Sequence, residues 1–115
     1  GNASMTATKT KQTQLQTLAT SMRTLVAAGA RYIHQPIGNG LEAVLQRRIE
    51  QSGAERWRLA LGRRSVAPSA DEVIACRDAF GVPVGTEVDV KVKQRTGKTG
   101  IVSTWYIVEM YWYES

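Results

Sequence analysis

The stretch VDVKVKQRTGKTGIVSTWYIVEMYWY, residues 88–113, decides how the chain folds. Val88, Val90 and Val92 alternate with Asp89, Lys91, Lys93 and Arg95, the period of two expected of a strand with one aliphatic and one charged face. A glycine-rich turn follows. From Ile101 to Tyr113 the residues are largely β-branched and aromatic, which predicts a long second strand and hence a terminal hairpin. Its register decides which rings meet water, because a slip of one residue exchanges the two faces of a strand. Two turns satisfy the glycine rules. A three-residue loop Lys98-Thr99-Gly100, with Gly100 left-handed, sets Lys93 opposite Trp105 and Val90 opposite Val108, and leaves Trp105, Tyr111 and Tyr113 outside. A two-residue turn at Gly97-Lys98 sets Val90 opposite Trp105 instead and sends those rings into the core. The three-residue loop is preferred. The set it buries, Val102, Tyr106, Val108, Met110 and Trp112, carries no charge, whereas the alternate set contains Glu109.

Upstream of the hairpin, Pro68, a Ser69 to Glu72 capping box, Asp71 and Glu72 in the first turn, and Gly81 and Pro83 past the end predict a helix over about 70–80. Val73, Cys76 and Phe80 form its apolar stripe. Before it, Arg56 to Arg63 alternates so that Trp57, Leu59 and Leu61 share one face of a strand and Arg56 and Arg58 the other. Nearer the N-terminus the spacing reads as helical. From Thr13, Leu15, Leu18, Met22, Leu25, Val26, Tyr32 and Ile33 recur at offsets of three, four and seven, and the segment His34 to Gly40 reads as a loop. Asn39 and Glu42 have cap spacing, and Leu41, Val44, Leu45 and Ile49 predict a second helix as far as Ser52, ended by Gly53. The expectation is an α+β domain: two N-terminal helices, then strand, helix, strand, strand, with a three-stranded, mainly antiparallel sheet covered on one face by helices. The strand from Arg56 lies either parallel to the next strand, through a right-handed crossover, or antiparallel beside the last one.

A chain of 115 residues holds one domain with one core. That domain is expected over 13–115, after a flexible polar leader over 1–12 in which Gly1-Asn2-Ala3-Ser4 has the look of a tag remnant. The single cysteine, Cys76, excludes an internal disulfide, and no apolar run reaches the eighteen or more residues of a spanning helix. Without a signal-peptide core the expected location is cytoplasmic, with no membrane partner.

Fifteen Lys and Arg against ten Asp and Glu leave a net charge of +5, which attracts polyanions without specifying one. In the preferred register, Lys91, Lys93 and Arg95 stand beside Trp105 and Tyr111, joined by Arg56 and Arg58 on the neighbouring strand, Arg63 and Arg64 at its exit, and Lys98 at the hairpin tip. Cations neutralise phosphates and rings stack on unpaired bases, so these ten residues predict a small non-catalytic accessory protein that binds nucleic acid, single-stranded DNA or RNA being favoured. The alternative is a protein-interaction or self-assembly module, a homo-oligomer included, pairing through the aromatic terminal hairpin if it lies at a sheet edge. Arg47 and Arg48, read as part of the second helix beside Glu50, are assigned to its solvation.

Catalytic patterns fail on inspection. Gly97-Lys98-Thr99 lacks the glycine five residues earlier that a phosphate-binding loop needs, where Val92 stands, and opens no helix. His34 has no neighbouring Cys, Asp or Glu, and a dyad with Cys76 runs against the place of that thiol on an apolar stripe. Asp71 and Glu72 are explained by the helix start, and Asp89 and Glu109 by charged strand faces. No metal and no cofactor are expected.

Overall fold

The computed structural model of the chain describes residues 2–114, with side chains from Lys11 onward. The expected tag remnant, and the leader as far as residue 10, fall outside the residues whose side chains are described. The elements run α1 (Asn2–Ala27), β1 (Tyr32–Gly38), β2 (Leu41–Ile49), β3 (Glu55–Arg64), α2 (Ala70–Phe80), β4 (Asp89–Thr96) and β5 (Val102–Glu114). Every strand pairing is antiparallel, and the sheet order is β1-β2-β3-β5-β4. The α+β class and the terminal hairpin hold. The count does not: the sheet has five strands rather than three, and only one helix precedes it.

The correction comes from one segment. The first helix ends at Ala27, and Gly29, at φ 121°, turns the chain out of it. Tyr32 and Ile33 then belong to β1. Asn39 and Gly40, at φ 55° and 76°, make a two-residue turn between Gly38 and Leu41, so the residues read as a second helix form β2 instead. Leu41, Val44, Leu45 and Ile49 fit a helical stripe, but Leu41, Ala43 and Leu45 fit an alternating one, and it is these three that are buried. The long-range partner decides: β3 lies against β2 over eight residue pairs, from Glu42↔Gly62 to Ile49↔Glu55.

The other elements follow their local signals. Ser69 caps α2 through the reciprocal Ser69 and Glu72 bonds, and Gly81, left-handed at φ 71°, closes it. The hairpin adopts the three-residue loop, with Gly100 at φ 82° and both Lys93↔Trp105 and Val90↔Val108 in register. The strand from Arg56 lies antiparallel beside the last one.

Both helices lie on one face of the sheet. Ala19, Met22 and Val26 of α1 and Cys76 and Phe80 of α2 meet Leu41, Ala43, Leu45, Trp57, Leu59, Leu61, Val108, Met110 and Trp112 in a single core. Within it the cross-strand pair Trp57 and Trp112 stacks at 6.3 Å between ring centroids, with the Arg23 guanidinium 4.5 Å from the Trp57 ring. The cover stops short of β4, whose valines Val90 and Val92 point to the helix side yet remain 65% and 59% exposed. Among the described residues no helix is long and apolar enough to cross a membrane.

Candidate nucleic-acid interface

Pairing in register fixes the opposite, helix-free face. Across β2, β3, β5 and β4 it carries Arg48, Arg56 and Tyr113 in one row, Gln46, Arg58 and Tyr111 in the next, then Val44, Ala60, Glu109 and Asp89. Beyond them lie Glu42, Gly62, Ile107 and Lys91, and finally Arg64, Trp105 and Lys93. Small residues at its centre let long ones close over them. Ala60 is 5% exposed and Glu109 only 3%. At Gly62 a Cβ would come within 3.8 Å of the Trp105 and Ile107 side chains, so the indole lies close over this stretch of backbone.

A buried carboxylate organises this face. Glu109 accepts from the Arg58 Nε at 3.3 Å and the Tyr111 hydroxyl at 3.1 Å, and pairs with Lys91 Nζ at 3.2 Å, while Arg58 also donates to Gln46 Oε1 at 2.8 Å. Burial pushes its pKa upward, but the bonds from Arg58, Lys91 and Tyr111 and the charge of Arg58 win, leaving it below the usual carboxylate value. Glu109 therefore stays ionised at neutral pH and fixes two of the cations in place.

The remaining cations of the face make no ion pair among the described residues: Arg48, Arg56, Arg64, Lys93 and Arg95. Two of them lie over rings. Arg56 sits 4.8 Å from the Tyr111 centroid and 5.9 Å from that of Tyr113, and Arg95 sits 5.2 Å from Trp105. Arg48 and Arg56 are direct cross-strand neighbours, a like-charge pairing that costs stability in a sheet. The free acid on this surface is Asp89. Glu42 is engaged by His34 at 3.0 Å.

Of the ten residues the sequence singled out, the structure brings Arg56, Arg58, Arg64, Lys91, Lys93, Arg95, Trp105 and Tyr111 onto this one surface. Lys98 stands exposed at the hairpin tip. Arg63 is turned to the other side: it donates to both Glu72 oxygens at 2.7 and 2.8 Å and to the carbonyls of Val66, Ala67 and Asn39. That clamp holds the Glu72 carboxyl down at about 2 and raises Arg63 in turn, so Arg63 ties β3 to the start of α2. Two residues of the face were missed: Tyr113, and Arg48, which had been assigned to a helix. The Asn39-Gly40 pair was the signal that would have found the latter.

The thiol and imidazole weighed as a dyad lie on opposite sides of the sheet. Cys76 is buried in the core, which pushes its pKa up to about 12, whereas His34 faces outward on β1. Among the described residues no three His, Cys, Asp or Glu side chains gather as a metal shell would require. Comparison with protein-family models, curated proteins and solved structures finds no match, so function rests on geometry.

Proposed function

We propose that the chain binds single-stranded nucleic acid, without catalysis, across the helix-free face of its sheet. One observation carries the reading: five cations without carboxylate partners among the described residues share an uncovered surface with the rings of Trp105, Tyr111 and Tyr113. Backbone phosphates would take the free guanidinium and ammonium groups, and unpaired bases would stack on the rings, each stack contributing roughly 1 to 3 kcal/mol. An open sheet face suits a splayed strand better than a duplex, whose bases are already stacked. The test is fluorescence anisotropy with labelled single- and double-stranded oligonucleotides at two salt concentrations. Tighter binding of the single strand, weakening steeply with salt, supports the reading; no binding of either at low salt would refute it.

A second reading rests on β4. Because β5 is paired on both sides, the edge that the terminal hairpin presents is β4, whose helix-side valines are bare along with Val102 and Ile101, 55% and 69% exposed. The Gly97 N to Ile101 O bond sets the alternation so that Val90, Val92, Gln94 and Thr96 turn their backbone groups outward. A second copy joined there over the full strand would set Lys91 against Lys93, or Lys93 against itself and Lys91 against Arg95. A strand alternating acidic and apolar residues suits this edge better than self-pairing does. Under this reading oligonucleotides fail to bind and such a peptide does.

A further inference from the structure

At the end of the face where β1 begins, with Tyr32 opposite Gln46, the last residues of β2 lose their neighbour on that side. A hollow of about 610 Å³ opens there. Its charged lining is arginine alone: Arg47 and Arg58 are held by Glu55 at 2.9 Å and Glu109 at 3.3 Å, while Arg31, Arg48 and Arg56 have no such partner among the described residues. One buried N–H of a lining residue, the Arg56 Nε, finds no acceptor among the described residues. The Tyr111 ring completes the lining.

Each of these features costs stability in the free protein. Arg48 opposes Arg56 directly across the ladder, and an unpaired buried donor forfeits the hydrogen bonds it had in water. Sites that break local rules in this way are where a ligand is expected to supply what is missing. What is missing here is acceptor oxygens and negative charge. The Gln46 oxygen already accepts from Arg58 and the Tyr111 hydroxyl already donates to Glu109, so the lining side chains left without a partner are the arginine donors. An internal phosphodiester brings a single charge and two free oxygens. A terminal phosphate monoester brings a charge of about −1.5 to −2 and three acceptor oxygens, and planar guanidinium groups grip it in bidentate fashion.

We propose that this hollow is an end-binding site that takes the terminal phosphate monoester of a nucleic-acid strand. The adjoining nucleotides lie over Tyr111 and run along β5 toward Trp105, about 20 Å away at the rise of an antiparallel strand. The inference rests on the single-strand reading above and adds to it a reason for the arginine concentration at one end.

The test compares three labelled single strands of one sequence, carrying a 5′-phosphate, a 3′-phosphate or hydroxyls at both ends, by anisotropy. For the wild-type chain one phosphorylated strand should bind about tenfold more tightly than the unphosphorylated one, the effect of roughly one added charge-assisted hydrogen bond. Arg31→Gln and Arg48→Gln, both exposed positions, should each erase that advantage. Replacing Lys93 and Arg95 by Gln at the far end should weaken all three strands alike. Equal binding of the three strands by the wild-type chain, or an advantage that survives both arginine variants, overturns the end site while leaving the face reading intact. Failure of every strand to bind at low salt removes the face reading and the end site together.

Discussion

Arg48→Glu should make the protein more stable and less able to bind. Arg48 faces Arg56 directly across β2 and β3, and neither has a carboxylate partner among the described residues. Two like charges about 5.5 Å apart in water repel by roughly 0.8 kcal/mol, and reversing one sign converts that repulsion into an attraction of similar size. Screening and side-chain entropy cut the swing, so the net gain should be about 1 kcal/mol, within the range for a directly opposed cross-strand pair. For a domain of this length that corresponds to a rise in Tm of about 4 °C. Differential scanning calorimetry at low salt reads it directly, and the gain should shrink as salt rises. On the same preparation, anisotropy should show single-strand affinity falling by about tenfold or more, because a cation is lost and an anion placed among the phosphate contacts. A lower Tm would mean that Arg48 is held by structure rather than for a ligand. An unchanged affinity would show that the arginine row is not where phosphate binds.

Three further outcomes follow from the same geometry. Arg63→Ala should cost about 2 to 3 kcal/mol, because it removes two charge-assisted bonds from Glu72, which keeps only those from Ser69 and Asn39, and leaves three exposed carbonyls to water, yet leave oligonucleotide affinity unchanged; chemical denaturation and anisotropy check the two halves. Glu72 is held at about 2 against an ordinary 4.5, so its contribution is fully present above pH 4.5 and lost as pH falls toward 2; Glu72→Gln should flatten that part of the stability profile in acid titrations followed by circular dichroism. Trp105→Ala should weaken single-strand binding by roughly 1 to 3 kcal/mol with little change in Tm, since the indole lies outside the core.

The hairpin, β3 and α2 were legible in the sequence because their signals are local. Ser69, Glu72 and Gly81 specify α2 within a dozen residues, and Gly100 with the charge of Glu109 specifies the hairpin register. Segment 32–49 was not legible in the same way. Leu41, Glu42, Ala43, Leu45, Gln46 and Arg47 are good helix formers at spacing that fits both periods, and β3, which settles the matter, comes later in the chain. Glu109 shows a related limit. As a charge it argued for the wet face, which was right, but its near-complete burial depends on Arg58, Lys91 and Tyr111 converging from three strands. The candidate face was therefore visible in outline from alternation along β3, β4 and β5, while its arginine-rich end needed β2 to be a strand.

The three tryptophans offer the most direct test of where a strand lies. Trp105 is on the helix-free face, whereas Trp112 is buried with its Nε1 donating to Glu114 Oε2 at 2.8 Å. In an NMR titration of the indole N–H resonances with an unphosphorylated single strand, Trp105 should move progressively and saturate while Trp112 stays in place. A stationary Trp105 at concentrations where anisotropy is saturated, or movement of Trp112 in its stead, would contradict the assignment of the helix-free face as the binding surface.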